Sequence, residues 1–328
     1  MNIKRIVAVL VSAGLLAWLL SDGRWRGLGD VLGRVDGATL ALATAAFLLS
    51  YLLRSLRVFD EFRGQAAGRF GACLRIVLVH NAMVNVLPFR GGEAAFPLLL
   101  RQSFGVPLPR AIASLFWFRL QDAFVVMALA ALVWPGLHPL LKGTAAAGVV
   151  ALAWWLPRWA RAPHGWAEGR ALTARLGKLR DAFAESTRHA RFGWLWTVTN
   201  WTVKLAAQAG LLAALIPTAL PVGAAGALGA ELAAILPIQG VAGFGTYEAG
   251  AAAALLPGGV PLERGLQAAL ALHLFVIACS VTAGAIAWLF PAPAPAAPGA
   301  QEASAASAAD LQSASSAADG AHTRSTAE

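Results

Sequence analysis

Charge is scarce in this chain. Asp, Glu, Lys and Arg make up only 13% of its 328 residues, against roughly 25% in soluble domains. A water-facing surface of ordinary composition is therefore excluded. Cysteine is scarcer still. Cys73 and Cys279 are the only two, and both sit in apolar runs, which suits packing and not a disulfide scaffold. No GxSxG, GxGD or HExxH occurs, and the six His have no metal-ligand spacing. That removes the familiar hydrolase, intramembrane-protease and zinc signatures. The GVAGFG stretch follows a Leu-Pro break, a context that excludes a dinucleotide-binding turn. No catalytic residue, metal or cofactor is assigned.

What is abundant is apolar sequence: 58% of residues, with a mean hydropathy of +0.63. Several runs approach the ~20 residues needed to cross a hydrocarbon core as a helix. Twelve Trp, many near the ends of those runs, fit interfacial belts. The net charge of +9 does not point to nucleic acid, because the basic residues cluster in loops between apolar segments, where they encode orientation.

Apolar spans are expected at 6–20, 38–56, 112–133, 140–156, 192–216 and 266–290. The first reads as a retained signal anchor, since no small-x-small site precedes Ser21. Two further stretches are broken. One runs 74–87, stops at Pro88 and resumes at 94–100. The other runs 222–236, stops at Pro237 and resumes at 249–256. From Pro291 to Glu328 the chain is Ala, Ser and Pro without periodicity and reads as disordered.

The segment 157–191 holds eight Lys and Arg against three acids, and 54–75 holds five Arg against two. Both are expected in the cytoplasm. Counting spans outward from them makes each broken stretch a re-entrant hairpin, with both termini inside. The expected fold is an all-α polytopic membrane protein. It has about six full transmembrane helices plus two re-entrant helical hairpins arranged as an inverted repeat. The repeat cores are 72–133 and 222–290 within a transmembrane domain of 1–290. Thin full spans in place of the hairpins remain an open alternative.

The repeat is visible in the residues. Both broken stretches read Leu-Pro, a Gly-rich turn, a Glu, a short apolar stretch, then GVPLxR and a long helix. Val106, Pro107, Leu108 and Arg110 recur as Val260, Pro261, Leu262 and Arg264, 154 positions later, and Arg119 stands the same distance before His273. Duplicated halves around broken membrane helices mark a transporter core with its site at the breaks.

Charged residues at depth support that reading, since each costs at least ~2.5–3.5 kcal/mol at the centre of a membrane helix. The candidates for binding are Arg90, Gly91, Gly92 and Glu93 at the first tip, Arg119 and Asp122 on the next helix, and Lys204. At the second tip they are Gly243, Gly245 and Glu248. Supporting polar positions are Asn81 and Asn85 (i, i+4), Asn200 and Gln208 flanking Lys204 at the same spacing, Glu231 and His273. Convergence on one polar cavity is one outcome. Neutral pairs within each helix, Arg90 with Glu93 and Arg119 with Asp122, are the other. The half-helix N-termini at the tips offer N–H groups to an anion. Leu172, Leu176, Leu179 and Phe183 make an apolar stripe amid basic residues, fitting either a surface-lying amphipathic helix or a solvated one.

LPFRGGE, the downstream RxxD of Arg119 and Asp122, and the late LPIxGxxGxGxxE resemble the lysylphosphatidylglycerol synthase transmembrane-region family, also called flippase-like membrane proteins. The likeness spans most of 1–290. It implies lipid handling in a bacterial cytoplasmic membrane and puts function on Arg90, Gly92, Glu93, Arg119, Asp122, Gly243, Gly245 and Glu248. Many members carry a basic residue three positions after the first Glu, where this chain has Phe96 followed by Pro97. The expected function is binding and translocation of a phospholipid or related lipid. The alternative is a membrane enzyme or accessory subunit of an aminoacyl-lipid, hopanoid or glycolipid pathway, with Glu93 or Glu248 as acid and base. The expected partners are membrane lipids as substrate and a lipid-biosynthetic enzyme, with no nucleic acid. With about 35 loop residues and a low-complexity tail outside the membrane, the chain is not expected to make aminoacyl lipids by itself.

Overall fold

Proline and glycine set the boundaries of most helices. The computed structural model describes Gly29 and residues 33–166, 171–235 and 241–289. The side chains of 88–90, 171 and 241 lie outside that description, as do the expected first span, the Pro237 break and the tail. Every described element is helical.

Helix α1 (Gly37–Glu61) begins where Asp36 accepts from the Thr39 N–H at 2.8 Å. Helix α2 (Phe70–Val86) stops before Pro88, which has no N–H to continue the ladder. A 3₁₀ segment (Pro88–Ala94) leads into α3 (Ala95–Phe104). Gly105 closes α3 in the left-handed region (φ 67°), its N–H returning to the Arg101 carbonyl. After Pro107 comes α4 (Leu108–Val133), then α5 (Pro139–Arg161) and α6 (Ala171–Ser186).

The order then recurs. Helix α7 (Gly193–Leu215) precedes α8 (Leu220–Ile235), a short turn at Val241–Gly243, α9 (Thr246–Leu255) and α10 (Leu262–Leu289). The first four helices have 25, 17, 10 and 26 residues, and the last four 23, 16, 10 and 28. Gly259 ends the second short helix and its following turn as Gly105 ends the first, with φ 79°.

Four helices are long and apolar enough to cross a membrane: α1, α4, α5 and α10. Helices α7 and α8 pass that test together, but they are bent by 118° at their junction. Helix α2 spans only ~25 Å, and α3 and α9 only ~15 Å each, at 1.5 Å per residue. All three fall short of a ~30 Å core.

Two apolar clusters make the interior. One gathers Val58, Phe62, Ile76, Val77 and Leu100 from α1 to α3. The other gathers Val126, Leu212, Leu215, Leu255 and Leu272 from α4 and α7 to α10. Helix α1 packs along α7, α2 along α10, and α8 against α9. Small residues permit the last contact. At Gly229 an added Cβ would strike the Gly250 carbonyl, and at Gly250 it would strike Gly229 in return. The outer surface is apolar too: Leu42, Leu140, Val150 and Trp154 are all at least 60% exposed.

The basic segment after α5 folds onto α4. Phe183 of α6 meets Phe116 and Trp117. Arg180 lies over Trp159 and Trp166 at 4.3 and 4.9 Å. Leu172, Leu176 and Leu179 stay exposed, so the apolar stripe splits between packing and an open face.

One expectation is corrected here. Arg54 and Arg57 do not lie in a cytoplasmic loop. Helix α1 continues past the apolar run to Glu61, because its charges find partners inside the protein.

Candidate functional site

Arg57 is only 2% exposed. Its guanidinium donates to Asp122 at 2.6 Å, to the Phe118 carbonyl at 2.7 Å and to Gln121 at 2.9 Å, and it stacks on the Phe118 ring. The indole of Trp201 on α7 donates to the same Asp122 oxygen at 2.9 Å. Asp122 therefore ties α1, α4 and α7 together. Its contact with Arg119, one turn back, is a longer 3.7 Å, so the pair expected within α4 is secondary to these ties between helices.

Arg119 turns instead to Glu93 at the first break, at 2.8 Å. His80 on α2 lies 3.3 Å from that guanidinium and 3.6 Å from the Glu93 carboxylate. In the second half, Lys204 meets Glu231 at 2.7 Å. Gln208 also donates to Glu231, at 2.7 Å, and to the Tyr247 hydroxyl at 3.0 Å.

Glu248 accepts from the Gly245 N–H at 2.6 Å and lies 2.7 Å from His273 Nδ1. The N-terminus of α9 is thus occupied by its own carboxylate, which takes the place expected for an external anion. Gly245 has φ 88° and Gly243 φ 84°, a conformation that L side chains rarely adopt. Tyr247 stacks on His273 at 4.3 Å.

Among these groups lies one cavity of about 220 Å³. Its polar walls come from Arg54, Asn81 and Asn85; Glu93, Arg119 and Asp122; Lys204 and Glu231; and Tyr247 and His273. Gly243 reaches it through the backbone of the second tip. Gly92 is packed so closely on the Met83–Val84 backbone that a Cβ has no room, whereas Gly91 is open to within 3.8 Å of Leu87.

Among the expected positions, Gln208 stands behind Glu231 and Glu248 behind His273, and neither lines the cavity. Asn200 is 2% exposed with neither side-chain polar atom bonded, and it is not part of the wall. The Arg90 side chain lies outside the described residues, so its expected pairing with Glu93 does too. Sequence reasoning missed Arg54, Arg57, His80, Trp201 and Tyr247. For Trp201 a signal existed: it precedes Lys204 by three residues on one helical face, and Lys204 sits 4.6 Å over its ring. No group of three or more His, Cys, Asp or Glu arranged to hold a metal occurs among the described residues.

Apolar helices with exposed greasy faces around a charged interior cavity define an integral α-helical membrane protein. The chain belongs to the family described as the lysylphosphatidylglycerol synthase TM region, whose model matches residues 5–284. This is a membrane family of lipid-related pathways. No curated protein and no solved structure matches the chain.

Proposed function

We propose that this protein binds a membrane lipid by its headgroup in the central cavity and carries it across the cytoplasmic membrane. The two halves then act as inverted copies, with α2–α3 and α8–α9 as re-entrant hairpins entering from opposite faces. The carrying observation is the convergence of charged side chains from both halves on one cavity. Placing each such charge at membrane depth costs at least ~2.5–3.5 kcal/mol, and a fold that needed only to pack helices has no use for it.

Supporting the hairpin reading, helices α2, α3, α8 and α9 are too short to span singly, and α8 turns sharply away from α7. Non-helical backbone at depth is tolerated where it lines a cavity, and Glu93 of the first break and Ala242 and Gly243 of the second line this one. The cavity volume is below the ~300–1,000 Å³ of pockets that enclose drug-sized ligands. It suits a headgroup whose acyl tails remain in the bilayer. Carboxylates and cations side by side suit a zwitterionic or anionic headgroup better than a neutral sugar.

The test is reconstitution into liposomes with headgroup-labelled phospholipids and an impermeant quencher. Quenching of the inner-leaflet pool faster than in protein-free liposomes is expected, with the lipid recovered chemically unchanged. Equal rates would sink the transport reading. A chemically altered lipid would favour a membrane enzyme.

A further inference from the structure

The two halves place the same kind of contact between their first two helices, with one difference. Arg54 on α1 donates to the Asn81 amide oxygen on α2 at 2.9 Å. Lys204 on α7 meets Glu231 on α8 at 2.7 Å. Both members of the second pair follow those of the first by 150 positions. Where the second half closes its cation with a carboxylate, the first half offers only a neutral amide.

The remaining cations of the site pair off: Arg57 with Asp122, Arg119 with Glu93, Lys204 with Glu231. Among the described residues, Arg54 has no carboxylate partner. Asn81 is 7% exposed, and its Nδ2 donates to nothing. A buried amide N–H without an acceptor costs about 1–3 kcal/mol, so its place beside a guanidinium that touches no carboxylate directly, Asp122 being the acid across the cavity wall, calls for an acceptor. Both residues line the cavity.

We propose that Arg54 and Asn81 form an oxyanion subsite that takes the phosphate group of the cavity's ligand. Guanidinium N–H groups and the amide N–H then converge on phosphate oxygens, the charge-assisted geometry in which Arg excels. The Lys204–Glu231 pair is left to face the other, polar or cationic, part of the same headgroup. The subsite rests on the lipid-handling reading for its natural ligand, though not for its chemistry.

Purified full-length protein in detergent is titrated with phosphatidylglycerol, with diacylglycerol of the same chains, and with glycerol 3-phosphate, following thermal stability. Phosphatidylglycerol is expected to raise the melting temperature and diacylglycerol to leave it unchanged. Asn81→Asp gives Arg54 the carboxylate that Lys204 already has. This variant should keep or raise the ligand-free melting temperature while weakening phosphatidylglycerol at least about tenfold, and Arg54→Gln should do the latter too. Arg188→Gln, which removes an exposed cation outside the cavity, is the control and should retain the response.

Response to phosphatidylglycerol alone assigns the anion to a lipid headgroup. An equal, Arg54-dependent response to glycerol 3-phosphate keeps the subsite and removes the lipid as its source. Undiminished response to phosphatidylglycerol in both Asn81→Asp and Arg54→Gln overturns the subsite, as does no response to any phosphate compound. Transport by the wild type in liposomes then still stands or falls separately.

Discussion

Asp122 holds the buried guanidinium of Arg57 at 2.6 Å, across 65 residues of chain. The pair is 8% and 3% exposed at its side chains. Removing the acid would strand a cation in the interior. Asp122→Ala should therefore destabilise the protein by about 3–5 kcal/mol, whereas Arg57→Leu combined with Asp122→Leu should cost much less. Denaturation in detergent measures both; a silent Asp122→Ala would show that water reaches Arg57.

Glu93 and Glu248 should behave differently. Glu93 and Arg119 border the cavity with side chains 24% and 37% exposed, and the Gln amide oxygen can still accept from Arg119, so Glu93→Gln is expected to cost less than Asp122→Ala. Glu248→Gln keeps an acceptor for the Gly245 N–H. Both variants should insert and fold yet lose transport. Full activity in both would make these carboxylates packing devices.

How much of this is legible in sequence depends on what each residue needs. The break at Pro88 is legible because a missing N–H is a local fact. That Arg119 and His273 stand at matching places, each against the Glu of its own half, is legible because the motif repeats. Arg54 and Arg57 are not. A charge at the end of an apolar run looks like a loop to any local reading, and only the partners Asn81 and Asp122, far along the chain, keep it inside a helix. Asn200 fails in the opposite sense. Its spacing from Lys204 and Gln208 is right, but Glu231 is reached only from the later two turns.

Sidedness has its own test. Gln102 at the end of α3 and Pro257 after α9 are both exposed. Single cysteines there, in a background without Cys73 and Cys279, should react with impermeant reagents from opposite faces of the membrane. Labelling of both from one face would rule out the inverted arrangement.

Acidity should weaken the seam between α6 and α7. His189 lies 3.2 Å from Glu185 and 3.5 Å from Glu61. Burial holds its pKa below the usual histidine value, helped by Arg110 and Arg63 and opposed by Glu185. The folded state thus favours neutral imidazole. Its contribution is present above pH ~6.5 and is lost as pH falls through the depressed folded value. Melting temperature should drop between pH 7.5 and 5.5, and His189→Gln should remove part of that drop. An identical pH profile in the variant would assign the loss elsewhere.

Glycine substitutions should separate close approaches from open turns. Gly92→Ala forces a Cβ into the Met83–Val84 backbone and should cost about 1–3 kcal/mol. Gly91→Ala, with its nearest neighbour 3.8 Å away, should cost less than 1 kcal/mol. Comparable losses in the two variants would mean that the first break has shifted.

The Gly229–Gly250 crossing carries this distinction into the history of the sequence. At Gly143 and Gly148 on α5 nothing lies within 4 Å of an added Cβ, so those codons are free to drift one step at a time. At the crossing each glycine meets the backbone of the other, and no single replacement on one side makes room for a replacement on the other. The contact of α8 with α9 is thereby frozen at its centre, while the outward face of α5 can be rewritten around it.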